Sequence, residues 1–376
     1  MLKFWGSQNL RQRLVFSTLS GKAIRIDGIR VDDPVPGLRD FEASLLRLLE
    51  KLTNGCVVEI SETGTSLRYR PGLLVGGPNL VHECGTSRAI GYFLEPLLLL
   101  GLWGKKPLTI TLRGITNDGV DVGVDTFRTV TLPLLKRLGI EEGLELRVVR
   151  RGAAPAGGGE VVLKVPVVKQ LTAINLTDEG MIKRIRGVAY SMKVSPQNTN
   201  RMVDGCRRLL NSLLADVYIF TDAVSGKESG LSPGYGMTLV AETTSGCLLS
   251  AEACAMQVLP PPISPPSSSS APHTSEPLIV PEDIGTTAAS LLMEEISRGG
   301  VVDGAHQPLL LTLAALGPEE ANQLRLGPLT PQAVSTLRHL QAFFDVTFGL
   351  QAERESKTIF MTCIGAGIRN LSKKVT

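Results

Sequence analysis

Two stretches of the chain run through the same succession of patterns. AIRIDGIRVDDPVPGLRDFEASLLRLLEKLTNG (residues 23–55) and LTITLRGITNDGVDVGVDTFRTVTLPLLKRLG (residues 108–139) each open with alternating apolar and polar residues. A turn rich in Gly, Asp and Pro follows, then leucines spaced three and four apart that stop at Gly. Alternation predicts a strand, and the wider spacing predicts a helix with one buried face. The pair reads as an internal repeat.

Each copy extends in both directions. The first has a helix around NLRQRLVFSTLS before it and strands CVVEIS and SLRYR after it. The second has GTSRAIGYFLEPLLLL as a preceding helix, with LELRVVRRG and GEVVLKVPV as following strands. Beyond residue 280 a third copy is expected, with helical GTTAASLLMEEISRGG and HQPLLLTLAALG, strand NQLRLGPL, helix PQAVSTLRHLQAFF, and strands DVTFGLQ and KTIFMTCIG. The order helix, strand, helix, strand, strand recurs three times.

Between the second and third copies the period breaks. Strand GVAYSMKVS, helix PQNTNRMVDGCRRLLNSLL, and strands DVYIFTD, GMTLVAET and CLLSAEAC read as a small α/β domain. Its exit, LPPPISPPSSSSAPHTSEPLIVP, is too rich in Pro and Ser to pack and is expected to be a tether. The fold class is therefore α/β (α+β). Repeats 1 and 2 (residues 1–185) and repeat 3 (281–376) form a large domain, and residues 186–280 form the inserted one.

With 376 residues and 43% hydrophobic content, the chain supports a substantial core. The net charge of +3 is small, but residues 181–208 hold Lys183, Arg184, Arg186, Lys193, Arg201, Arg207 and Arg208 against Asp204. Local basic faces suit a polyanion. Aromatic residues, at 5%, are sparse and argue against base stacking. The six cysteines form no C-x-x-C pair, so neither zinc nor a disulfide framework is expected. IGYFLEPLLLLGLW is broken by Glu95 and Pro96 and is too short for a membrane span, and the N-terminus has no signal-peptide pattern.

GPLTPQAVSTL (residues 327–337) has the form of an anion-binding helix start. Thr330 is a good N-cap and Pro331 suits the first helical position, which leaves amides and the positive end of the dipole facing outward. Position 332, facing that site, is Gln, which forms hydrogen bonds but is neither nucleophile nor proton shuttle.

WGSQNLRQRLVFSTLSGKAIRIDGIR followed by PGLRD resembles the opening of the RNA 3′-terminal phosphate cyclase superfamily. The resemblance continues through RPGLLVGG, LTITLRGITND, DTFRTVTLPLLKRLG, the GGGEV turn and GPLTPQAVSTL, and covers nearly the whole chain. VSPQNTNRMVDGCRRLLN, SGLSPGYGMTLVAETTSG and MTCIGAGIRNLSKK are similar to its eukaryotic ribosome-assembly branch. In cyclases, a histidine near the start of the last helix takes AMP from ATP before the RNA 3′-phosphate is closed onto the 2′-hydroxyl.

By this resemblance Gln332 stands where the histidine would be, and an amide nitrogen has no free lone pair for a phosphoramidate bond. His339 shares the helix but sits about 10 Å farther along its axis. His306, before a different helix, is expected in helix-start packing or solvent contact and not in catalysis. Phe4 replaces the acid that would hold a metal, Asp33 replaces one of two arginines, and Arg11 and Arg30 remain. The resemblance thus implies an inactive cyclase fold with no catalytic residue, no metal and no cofactor.

Three further features keep two readings each. Asp118, Asp121 and Asp125 could hold a metal, but a turn at Asn117-Asp118-Gly119 and a helix cap at Asp125 explain them better. Gly157–Gly159 could cradle phosphate beside Arg147, Arg150 and Arg151, or turn between two strands. MIKRIRG, read as a basic helical segment, presents Lys183, Arg184 and Arg186 to RNA phosphates or to solvent. The RNA- or phosphate-binding candidates are Arg11, Arg30, Arg150, Arg151, Lys183, Arg184 and Arg186.

The resemblance implies a role in the small-subunit processome, in early pre-rRNA processing for 18S rRNA and the 40S subunit. Its implied partners are pre-rRNA, a large ribosome-assembly GTPase and other processome proteins, and its implied place is the nucleolus within the nucleus. The rival readings are a pre-rRNA endonuclease, a residual RNA 3′-phosphate cyclase, and a general RNA-binding protein.

Overall fold

The computed structural model describes residues 1–255 and 280–370. Nearly all of the Pro/Ser tract expected as a tether lies outside these residues.

Four four-stranded sheets organise the described residues. The first runs in the order Leu2–Trp5, Ile24–Asp27, Leu67–Arg70, Val57–Ile60. The second runs Gly76–Ala89, Lys106–Ile115, Gly159–Val165, Glu145–Arg150, and the third Asn175–Leu176, Ala321–Leu326, Thr358–Ile364, Phe348–Glu353. In all three the first pair is parallel and the next two are antiparallel.

The strand that opens each sheet is absent from the sequence expectation. Residues 85–89 correct it directly, because they end the strand Gly76–Ala89 instead of starting a helix. That strand shifts register four times against its neighbour, so its side chains do not alternate cleanly.

The helices follow the leucine spacing. They are α1 (Leu10–Ser20), α2 (Asp40–Leu52), α3 (Gly91–Leu102), the short α4 (Val124–Thr126) and α5 (Leu132–Arg137), α6 (Gln197–Leu210), α7 (Pro281–Arg298), α8 (Gln307–Leu316) and α9 (Pro331–Phe344). A widened π turn over Phe127–Thr131 joins α4 to α5 where one regular helix is expected. α3 and α8 are apolar around most of their circumference and are almost wholly buried, as such helices must be. With α1, α2 and α9 they form one continuous core against the first three sheets.

The fourth sheet, ordered Val217–Val224, Ile182–Met192, Gly234–Thr243, Leu248–Cys254, has a core of its own. α6 and α7 both cover it. Ile284, Ala288, Ala289 and Leu292 of α7 join Met202, Cys206 and Leu210 of α6 in that core. α7, which the sequence assigns to the third repeat, thus packs chiefly on α6 and the fourth sheet. The cause is a close helix crossing: a Cβ on Gly205 would strike the Glu282 carbonyl, and one on Gly285 would strike the Met202 carbonyl. MIKRIRG is also corrected, from helix to strand.

Among the described residues, no helix is long and apolar enough to cross a membrane. All six cysteines are free thiols.

Candidate functional site

The starts of α1, α3 and α9 converge on a cleft of about 350 Å³. α9 begins as its sequence dictates, with the Thr330 hydroxyl accepting from the Ala333 amide at 3.1 Å and Pro331 following it. Gln332 lies on the cleft wall and is exposed. Arg11 from α1 and Arg30 from the loop before α2 line the same cleft. Sequence reasoning missed a third cation, Arg88, because its segment reads as helix when it is the end of a strand.

Each of these arginines is already engaged. Arg30 makes a bidentate pair with Glu42, both bonds 2.7 Å, and Glu42 also accepts from the Arg39 amide at 2.8 Å. Arg88 pairs with Asp121 at 2.5 and 3.1 Å. Arg11 reaches Glu95 at 3.0 Å and Asp121 at 3.5 Å. Three cations thus face three carboxylates inside one cleft, and the site is neutral before any ligand arrives.

Phe4 is packed into the wall beside this cleft. Its ring stacks on Phe343 with centroids 5.6 Å apart and takes the edge of His339 at 5.7 Å. The Arg13 guanidinium covers it at 4.7 Å, donates to the Gly6 carbonyl at 2.8 Å, and reaches His339 Nε2 at 3.4 Å. His339 Nδ1 meets Gln12 Oε1 at 2.7 Å, and the Gln12 amide donates to Thr336 at 2.7 Å. This network ties α1 to α9. Burial and the neighbouring Arg13 charge push the His339 pKa down to about 4, so the ring is a neutral strut at ordinary pH.

His306 is buried at the start of α8, as expected of helix-start packing. Its Nδ1 meets Asp303 at 2.7 Å and its Nε2 meets the Thr131 hydroxyl at 2.8 Å. Asp303 also accepts from the Ser250 amide and hydroxyl at 2.8 and 2.6 Å. The sequence of groups resembles a nucleophile with its base and orienting acid, but Thr131, His306 and Asp303 are each at most 3% exposed. No substrate reaches them, and the group serves as a polar rivet between α8, the π turn and the fourth sheet.

The aspartate trio is used by the protein itself. Asp118 accepts from the Val120 and Asp121 amides at 3.0 and 2.7 Å, the turn predicted from Asn117-Asp118-Gly119. Asp125 does not cap its helix, whose first flanking residue is Gly123. It is instead fully buried and holds Arg151 through bonds of 2.6 and 2.9 Å.

Arg151, expected on phosphate, is corrected by the same geometry. Its Nε donates to Asp222 at 2.7 Å, its plane lies 4.7 Å over Tyr190, and its side chain is 4% exposed. Both of its charge partners are internal, so it joins the second and fourth sheets and faces no ligand.

Gly157 and Gly158 adopt left-handed backbone between two strands, which is the turn reading. The Gly157 amide donates to Ala153 and its carbonyl accepts from Leu231, so the run packs against a loop of the inserted unit. Arg150, by contrast, is exposed, and among the described residues it forms no ion pair.

Lys183, Arg184 and Arg186 are not among the cleft-lining residues and lie on the strand Ile182–Met192 of the fourth sheet. Arg186 pairs with Asp216 at 2.8 and 3.0 Å and Arg184 with Glu242 at 2.7 Å. Bonding to Arg186, with Arg184 and Lys183 also near, holds the Asp216 carboxyl below its usual range. The three cations therefore share one neighbourhood.

Comparison with known proteins gives the arrangement its context. The family described as RNA 3′-terminal phosphate cyclase matches residues 2–350. The chain is 50% identical over 373 residues to a probable RNA 3′-terminal phosphate cyclase-like protein of Dictyostelium discoideum, covering 99% of each. It is 50% identical over 379 residues to the RNA 3′-terminal phosphate cyclase-like protein of Homo sapiens, covering 99% of this chain and 97% of that one. It is 45% identical over 377 residues to the rRNA processing protein rcl1 of Schizosaccharomyces pombe, covering 99% and 98%.

Proposed function

The chain belongs to the RNA 3′-terminal phosphate cyclase family, and we propose that within it this protein is a non-catalytic factor in rRNA processing. The finer reading is a component of the small-subunit processome that supports early pre-rRNA cleavage for 18S rRNA and 40S assembly. It acts in the nucleolus, with pre-rRNA and a large ribosome-assembly GTPase as partners.

The observation that carries the non-catalytic reading is the neutral cleft with Gln332 on its wall. Covalent adenylyl transfer needs a nucleophilic lone pair such as that of an imidazole, and an amide supplies none. It also needs fixed positive charge for a triphosphate, whereas Arg11, Arg30 and Arg88 face Glu95, Glu42 and Asp121. With Phe4 packed on Phe343, the turn before α1 presents an apolar side chain where a metal-holding acid would be needed. What remains of the fold is a large rigid surface. The rRNA-processing name of the fission-yeast relative supports its use in ribosome assembly.

The reading is tested by depleting the protein from its own cells and restoring it as wild type or as Gln332→Ala. Depletion is expected to accumulate unprocessed small-subunit precursor, and both restored forms are expected to clear it equally. Normal 18S rRNA after depletion would overturn the processing role. Failure of Gln332→Ala alone would overturn the non-catalytic reading.

A further inference from the structure

Among the described residues, the strand Val217–Val224 is an edge of the fourth sheet, hydrogen-bonded in it to the strand Ile182–Met192 alone. On it Ile219 is buried in the second core, while Tyr218 and Phe220 on either side point the other way and are 59% and 56% exposed. Register places Tyr218 beside Arg186 and Phe220 beside Val188. Farther along the same face, Asp222 and Tyr190 are closed off by Arg151. The face is thus sealed at the junction with the second sheet and opens outward across two aromatic rings.

Next to them runs a groove of about 240 Å³, whose lining includes Arg186 and Glu242 among the smaller and apolar Thr129, Val188, Thr238 and Leu248. Beyond Tyr218 lies the cluster of Lys183, Arg184 and Arg186 around Asp216. The pair Arg186–Asp216 is solvent-exposed and Arg184–Glu242 is half-buried; exposed pairs are weak, so an incoming phosphate can displace Asp216 from Arg186 at little cost. Exposed rings beside loosely held cations are the two components of a single-strand platform, in which bases stack on the rings and the backbone follows the charge.

We propose that Tyr218 and Phe220 form a base-stacking platform for single-stranded RNA, with Lys183, Arg184 and Arg186 holding the adjoining phosphates. This rests on the reading that the protein touches pre-rRNA. It also reverses the expectation drawn from the low aromatic content, because two rings suffice when they share a face with the cations.

The test is fluorescence anisotropy with a labelled 12-nucleotide single strand and a duplex of the same sequence, over a range of salt. Wild type is expected to prefer the single strand. Tyr218→Ala/Phe220→Ala is expected to lose about 100-fold in single-strand affinity, about tenfold per ring, with its salt slope unchanged. Both rings are more than half exposed, so the melting temperature should hold, and Tyr218→Phe should bind as wild type. If the double variant binds the single strand as tightly as wild type, the stacking platform is overturned while RNA binding stands. If it also drops out of pre-ribosomal particles, the face docks a protein and the inference is likewise overturned. If wild type binds neither RNA, both this inference and the RNA reading on which it rests fail.

Discussion

Phe4 lies nearly parallel to Phe343, with ring centroids 5.6 Å apart and planes 15° from each other. The two come from the first strand and from α9, so the wall beside the cleft is sealed by apolar stacking between the ends of the chain. Arg13 closes the stack from the other side and ends on His339. In this arrangement Phe4, Arg13 and His339 hold the wall together, and the cleft arginines Arg11, Arg30 and Arg88 each have a carboxylate partner within the protein.

His339 gives that packing a pH signature. Its ordinary pKa of 6.5 falls to about 4 in the folded protein. As pH drops from 6.5 to 4, the unfolded chain takes up a proton that the folded one refuses, so stability falls across this window and is level on either side. The loss amounts to as much as about 3 kcal/mol. His82, also lowered to about 4 by burial and by Lys51 and Arg47, adds a similar slope. Urea denaturation at several pH values should show His339→Gln losing less stability than wild type between pH 6.5 and 4. Parallel profiles would mean that His339 takes up its proton as readily in the fold as in the unfolded chain.

The basic cluster on the fourth sheet predicts a salt dependence. Each phosphate contact contributes about 0.7 to the slope of log affinity against log salt for single strands. Replacing Lys183, Arg184 and Arg186 together with Ala should weaken binding of unrelated RNAs alike and flatten that slope by about two units. A slope that does not change would remove these residues from the RNA path.

The α6–α7 crossing predicts a packing defect. A methyl group on Gly285 has nowhere to go, because the Met202 carbonyl occupies its place. Gly285→Ala should destabilise the protein by about 1–3 kcal/mol in urea. Hydrogen exchange should rise first in α6 and the fourth sheet. Faster exchange confined to α8 and α9 would tie α7 to the third sheet instead.

The helices at 40–52 and 331–344 are legible in the sequence because each buries one face wide enough to set a period, and the one at 307–316 because its apolar run is unbroken. The opening strands are not. Leu2–Trp5 is four residues long, Asn175–Leu176 is two, and Gly76–Ala89 is interrupted by register shifts, so none shows a sustained alternation. α7 follows the Pro/Ser tract and reads as the start of a new unit; only the glycine-mediated contact with α6 reveals where it packs. At the site, Gln332, Arg11 and Arg30 are found by motif, but the carboxylate partners of the arginines are not: Glu42 is 12 residues from Arg30, and others lie much farther off. Arg11 and Glu95 are 84 residues apart, and Arg151 and Asp222 are 71 apart. An arginine's charge is visible in a sequence, but whether that charge is already neutralised is a property of the fold.

The central claim is that this fold does not carry out adenylyl transfer. The most direct measurement is incubation of the purified protein with ATP labelled at the α-phosphate and a divalent metal, followed by denaturing electrophoresis. No labelled band is expected from wild type. None is expected from Gln332→His either, because Phe4 still stacks on Phe343 and the cleft arginines still face Glu42, Glu95 and Asp121. An acid-labile label on the wild-type protein would contradict the account.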